Sequence, residues 1–93
     1  MPIPKYNELY IPFLTAIEDG NVHTMKEVRE KVAEMLSLGE EELSERLPSG
    51  NQTFDNRIGW AKTYLKKAGL VEVPKRAHFK ITKEGKRLLD SGE

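Results

Sequence analysis

The sequence predicts a mainly α fold carrying a small β-hairpin, on three observations. Apolar residues recur at helical spacing over 5–18, 25–36 and 54–68. Two short strand-like runs follow at 70–73 and 78–81, separated by the stretch Pro74 to Ala77. A closing amphipathic segment begins beyond Thr82, which is suited to cap it. Three helices and then a hairpin is the order of a winged helix, a helix-turn-helix with a hairpin appended.

Each element has a local reason. In the first, Tyr6, Leu9, Tyr10, Phe13, Leu14 and Ile17 share one face, and Asp19-Gly20 ends it. Pro12 lies inside that pattern, has no N–H and crowds the carbonyl four residues earlier, so a kink is expected near Glu8. A short extended piece at 22–23 leads to Thr24, which forms a capping box with Glu27 for the helix over 25–36. Met25, Val28, Val32, Met35 and Leu36 are its expected core face. A short acidic helix over 40–46 is stopped by Pro48, and Ser49 to Gln52 make a turn or loop.

The helix over 54–68 has Thr53 as its expected N-cap and Asp55 in its first turn. Lys66 and Lys67 occupy its last turn, and Gly69 stands at the left-handed position beyond it. Projection at about 100° per residue gathers Ile58, Ala61, Leu65 and Ala68 on the core face. Asn56, Gly59, Trp60, Thr63, Lys66 and Lys67 then face outward. Gly59 costs such a helix about 0.5–1 kcal/mol relative to alanine, and its use is to let another surface approach the helix axis closely. The runs 70–73 and 78–81 pair as the hairpin, and a closing helix over 83–90 frays at Ser91, Gly92 and Glu93.

Ninety-three residues with 38% hydrophobic content fit one domain, 1–93, built on one core. There is no cysteine, which excludes disulfides and thiolate metal sites. His23 and His78 lie far apart without partners at metal spacing, so no metal and no cofactor are expected. No apolar run approaches the roughly 18 residues that span a bilayer, and the N-terminus lacks a secretory apolar region. A soluble cytoplasmic protein with no membrane partner is expected. The formal net charge of zero conceals an asymmetry. Residues 1–50 carry 5 basic and 10 acidic side chains, whereas 51–93 carry 10 basic and 5 acidic. Local potential of this kind, rather than the average, draws a polyanion.

The stretch "LPSGNQTFDNRIGWAKTYLKKAGL", followed by "PKRAHFKIT", resembles the N-terminal domain of Mrr-type restriction proteins. In that family PSG, F-x-N-R-[VI]-x-W-A and L-x-x-x-G-L recur in this order, before a Pro-x-Arg-Gly wing and a hydrophobic-x-Ile-Thr segment. The opening "MPIPKYNELYIPFL" is similar to the family's Pro-x-Pro-x-Tyr start, so the resemblance covers nearly the whole chain. It implies a winged-helix domain that recognises foreign or modified double-stranded DNA, methylated or not. In whole proteins of the family a separate nuclease domain of the PD-(D/E)xK type follows. One departure stands out: Ala77 occupies a wing position where the family commonly has glycine, which accepts a positive φ at less cost.

In a helix-turn-helix the second helix of the pair enters the major groove, and the helix over 54–68 takes that place. Asn56, Gly59, Thr63 and Lys66 are expected to face base edges, with Arg57, Lys67, Lys75 and Arg76 gripping phosphates. Two readings stand for Arg57, a phosphate contact or an ion pair with the acidic helix over 40–46. Trp60 is expected to brace the helix against the wing or the first helix. Lys66 and Lys67 also complement the negative helix end. His23 is expected to be structural, and His78 lies on the wing.

The triplet Glu84-Gly85-Lys86 matches (D/E)-x-K, yet metal-dependent cleavage needs a further carboxylate converging on the metal. Here the triplet opens a helix, so no catalysis is expected of these residues. Two rival readings remain. One is a protein-docking module built on acidic Glu40, Glu41, Glu42 and Glu45 with Trp60 as anchor. The other is a small dimeric regulator, although no apolar dimerisation helix is evident and a monomer is expected.

Overall fold

The chain opens with a 3-10 turn, Tyr6–Leu9, that passes into helix α1, Tyr10–Ala16, in a computed structural model describing residues 4–91. The single kinked helix expected over 5–18 is thus two pieces, joined at Leu9 and Tyr10. Pro12 explains the division. It is the third residue of α1, where backbone N–H groups have no intrahelical acceptor, so the proline belongs to a helix start rather than a bend. The first three residues of the Pro-x-Pro opening, and the fraying expected at Gly92 and Glu93, lie outside the described residues.

The remaining elements are β1 (His23–Thr24), α2 (Met25–Met35), α3 (Glu40–Ser44), α4 (Thr53–Lys67), β2 (Val71–Lys75), β3 (His78–Ile81) and α5 (Lys83–Asp90). The sheet is antiparallel in the order β1-β3-β2, so the hairpin gains β1 as a third strand. His23 lies opposite Phe79, and Thr24 opposite His78. The fold is a winged helix, mostly helical with one small sheet.

Caps fix several boundaries. Thr24 Oγ1 accepts the Glu27 N–H at 3.1 Å, and the Thr24 N–H donates back to Glu27 Oε1 at 3.4 Å. At the end of α4, the Gly69 N–H donates to Lys66 O at 3.1 Å and the Leu70 N–H to Leu65 O at 3.0 Å. That pair of bonds is a Schellman ending, and Gly69 takes the required positive φ of 77°.

The start of α4 departs from expectation. Helix α3 ends at Ser44, before the expected limit of 46, because Glu45 turns extended and Arg46 bridges to Gln52. Leu47 N–H donates to Asn51 O, and Gly50 N–H to Leu47 O, both at 2.8 Å, closing a tight loop. Thr53 N–H then donates to Glu45 O at 2.8 Å. With its N–H satisfied across the loop, Thr53 is the first residue of α4 rather than its cap, and it is buried. Gln52 holds the cap position without a side-chain cap bond.

The core gathers Leu9, Phe13, Leu14 and Ile17 with Val28 and Val32 of α2, Phe54, Ile58, Ala61 and Leu65 of α4, and Val71, Phe79 and Ile81 of the sheet. Phe13 and Phe79 meet edge-on at 5.8 Å, joining α1 to the wing. Met35 and Ala68, both expected inside, are exposed. Each ends its helix, Met35 as the last residue of α2 and Ala68 as the C-cap of α4, where the core-facing stripe runs out. His23 is buried between two carboxylates, Nε2 to Asp19 Oδ1 at 2.7 Å and Nδ1 to Glu27 Oε2 at 3.1 Å.

The wing is tighter than the sequence suggests. Strand β2 continues through Lys75, leaving a two-residue turn at Arg76-Ala77 instead of a loop over 74–77. Glu72 pairs with Lys80 and Lys75 with His78, so β2 carries one extra residue between these pairs. Pro74 lies in that bulge, where its missing N–H does not interrupt the ladder. The Ala77 carbonyl accepts the Met25 N–H at 3.1 Å, which ties the tip of the wing to the start of α2.

Candidate nucleic-acid interface

Helix α4 is seated by Phe54, Ile58, Ala61 and Leu65, and a polar clamp adds to this apolar face. Arg29 Nη1, from α2, donates to both carboxylate oxygens of Asp55 at 2.9 and 3.1 Å. Asp55 is the only acidic residue of α4, and this pairing offsets its charge. The sequence places Asp55 only in the first turn of this helix.

On the outer face, a Cβ placed at Gly59 would meet nothing within 4 Å. Packing inside the domain therefore gives no reason for glycine there. Thr63 Oγ1 donates to Gly59 O at 3.1 Å, so the hydroxyl proton is engaged and only its lone pairs face outward. Asn56, Gly59 and Thr63 share a shallow hollow of about 330 Å³ with Asp55, Trp60 and Lys62. Lys66 and Lys67 are exposed along the same helix.

A second depression joins α4 to the wing. Lys62 and Lys66 from the helix and Arg76 from the turn border a cleft of about 340 Å³ floored by Met25, Val73, Ala77 and Phe79. No carboxylate is among these lining residues. Lys66, expected at base edges, and Arg76, expected on phosphates, border this one cleft. Lys62 was missed by the sequence reading because helical projection puts it between the inner and outer faces. Only the position of the wing shows what it borders. Lys75 is exposed at the end of β2 opposite His78, whose Nδ1 donates to Arg76 O at 2.8 Å.

Two expected residues lie on the other flank of α4. Arg57 Nη1 donates to Pro4 O at 3.3 Å, so its side chain reaches the N-terminal segment rather than the cleft beside the wing. Trp60 is expected to brace the helix against the wing or the first helix, and its ring instead meets one on its own helix. It is 51% exposed and leans on Tyr64 of its own helix, with ring centres 6.3 Å apart. Tyr64 in turn stacks on Tyr6 at 5.2 Å.

The (D/E)-x-K triplet lies in the first turn of α5, with Glu84 and Lys86 exposed and Gly85 buried. Among the described residues no group of three or more His, Asp or Glu side chains is placed to hold a metal ion. No helix among them is long and apolar enough to cross a membrane.

The Mrr N-terminal domain family matches residues 6–91. The chain is 30% identical over 88 residues to the type IV methyl-directed restriction enzyme EcoKMrr of Escherichia coli, a match covering 91% of this chain. It spans only 28% of that relative's length. No solved structure matches the chain. With the family matched across nearly every described residue, the chain belongs to the Mrr N-terminal domain family.

Proposed function

We propose that this domain binds double-stranded DNA as the target-recognition module of a restriction system, without catalysing cleavage itself. The observation that carries this reading is the cleft where Lys62, Lys66 and Arg76 converge from two elements with no carboxylate between them. Cations on both walls suit a phosphate strand, whose contacts position a protein without reading sequence. The outer face of α4 then reaches the major groove, with Asn56, Gly59 and Thr63 toward base edges, Lys67, Lys75 and Arg76 on phosphates, and Lys66 at the boundary between the base edges and the phosphate strand in the cleft. Arg57 contributes indirectly, by holding the N-terminal segment against α4.

The restriction enzyme that this chain resembles is named as methyl-directed, which makes methylated duplexes the first ligands to compare. Cleavage belongs to a nuclease domain of the parent protein, and such a system works in the cytoplasm. The isolated domain acts as a monomer.

Fluorescence anisotropy with labelled duplexes, methylated and unmethylated, tests the reading. With roughly four to six phosphates neutralised, log K falls against log salt with a slope of about −4 to −5. Replacing Lys66 and Lys67 together by glutamate abolishes most of the affinity. No binding to any duplex at low salt overturns the proposal. A domain that instead captures a protein through its exposed glutamates, Glu40, Glu41 and Glu45, is the alternative outcome.

A further inference from the structure

The aromatic residues of this chain are divided by type. All three phenylalanines, Phe13, Phe54 and Phe79, are buried. All three tyrosines and the single tryptophan meet instead on one surface, between the 3-10 turn and α4. Tyr10 and Tyr6 touch edge-on at 6.2 Å, Tyr6 stacks on Tyr64 at 5.2 Å, and Tyr64 supports Trp60 at 6.3 Å. Tyr6 is 40% exposed, Tyr64 42% and Trp60 51%. A core has no use for rings held in this way, and exposed clusters of large aromatic side chains mark interaction sites.

We propose that this ladder is a stacking platform for an unstacked nucleobase, engaged where DNA is single-stranded or locally opened. The inference rests on the DNA-binding reading above, because the ladder is continuous with that face. Trp60 borders the same hollow as Asn56, Gly59 and Thr63. Charge fits the same occupant. Exposed Lys5 precedes Tyr6, and exposed Lys67 lies one turn beyond Tyr64, so cations flank the rings as a nucleic-acid backbone requires. Of the nearby carboxylates, Glu8 accepts the Lys5 N–H at 3.0 Å and Asp55 is paired with Arg29.

A base inside a duplex has both faces covered by its neighbours. Only a base out of the stack offers a free face to a ring, so the ladder selects unpaired or extruded bases. The Tyr6–Tyr64 stack fixes the middle of the ladder and holds Trp60 before any ligand arrives. The ligand class is thus any base with an accessible face, with little preference among bases.

Trp60 is the only tryptophan, so all tryptophan emission arises from this ladder. The chain is titrated with an oligothymidine, with a duplex carrying a one-base bulge, with the fully paired duplex, and with inorganic polyphosphate. Stacking predicts strong quenching by the first two ligands and little by the others. By anisotropy, Tyr64→Ala and Tyr6→Ala each lower oligothymidine affinity roughly tenfold while paired-duplex affinity stays within about twofold, with circular dichroism confirming the fold. If paired duplex binds but no ligand quenches Trp60 and both variants hold oligothymidine as before, the platform is refuted and duplex binding stands. Equal quenching by polyphosphate also refutes it, since charge alone then suffices, as does quenching by a protein partner without any nucleic acid. Failure to bind any nucleic acid removes both readings.

Discussion

Gly85 packs directly beneath the carbonyl of Leu70: a Cβ there would lie 2.5 Å from Leu70 O and 2.7 Å from Ile81 Cγ1. The same carbonyl accepts the Thr82 N–H at 3.1 Å, and Thr82 Oγ1 accepts the Gly85 N–H at 3.1 Å. Backbone from the start of α5 is therefore knitted to the start of β2, leaving no room for a side chain. Gly85→Ala is expected to destabilise the domain by about 1–3 kcal/mol, the usual cost of overpacking. Thermal melting checks this, and an unchanged midpoint would show that the backbone yields at Leu70.

Gly59 makes the opposite case. Open space surrounds the position, so Gly59→Ala should stabilise the folded state by about 0.5–1 kcal/mol, the ordinary gain in a helix. The same variant is expected to weaken duplex binding several-fold, because the added methyl holds the groove wall away. Melting and anisotropy on one preparation decide it. A variant that gains stability and binds DNA undiminished would remove close approach from the interface.

Ala77 adopts φ 59° in the wing turn, the left-handed region that costs a non-glycine residue about 1–2 kcal/mol. Glycine relieves that cost but adds freedom to the unfolded chain. Ala77→Gly is expected to raise stability by about 0.5–1 kcal/mol, and Ala77→Val to lower it. The backbone bond from Met25 to the Ala77 carbonyl survives both changes, so the turn stays attached to α2. Chemical denaturation of the two variants tests the order.

The capping box at Thr24 and the Schellman glycine at Gly69 were legible because each is a local pattern of residues and bonds. Thr53 was misread because its N–H is satisfied by Glu45, across a loop that Arg46 and Gln52 close from a distance. Periodicity marks which face a residue shares but not where the helix stops, so Met35 and Ala68 were placed inside. Lys62 and the Tyr6–Tyr64 stack depend on elements remote in sequence lying side by side. The helix of the candidate site was therefore readable, while its cleft and its aromatic flank were not.

His23 predicts a pH dependence. Both ring nitrogens face carboxylates, Asp19 and Glu27, so both must donate and the imidazolium is favoured. The bond to Asp19 is the main influence raising the His23 pKa above its usual value. Burial opposes it, Glu27 assists, and the charge of Lys31 acts against. Because the folded pKa exceeds the unfolded one, about 6.5, this stabilisation is complete below that pH and is lost as pH rises through the folded value. The Asp19 and Glu27 carboxyls are lowered, chiefly by the same histidine, so their share is present above the ordinary carboxylate range and lost as pH falls below it. Stability should thus be greatest between about pH 4.5 and 6.5, and decline toward pH 8.5 as the link between β1 and its flanking turns loses charge. His23→Gln should flatten the decline. Melting midpoints measured from pH 5.5 to 8.5 for wild type and variant should converge as pH rises. Parallel curves would assign the pH dependence to other groups.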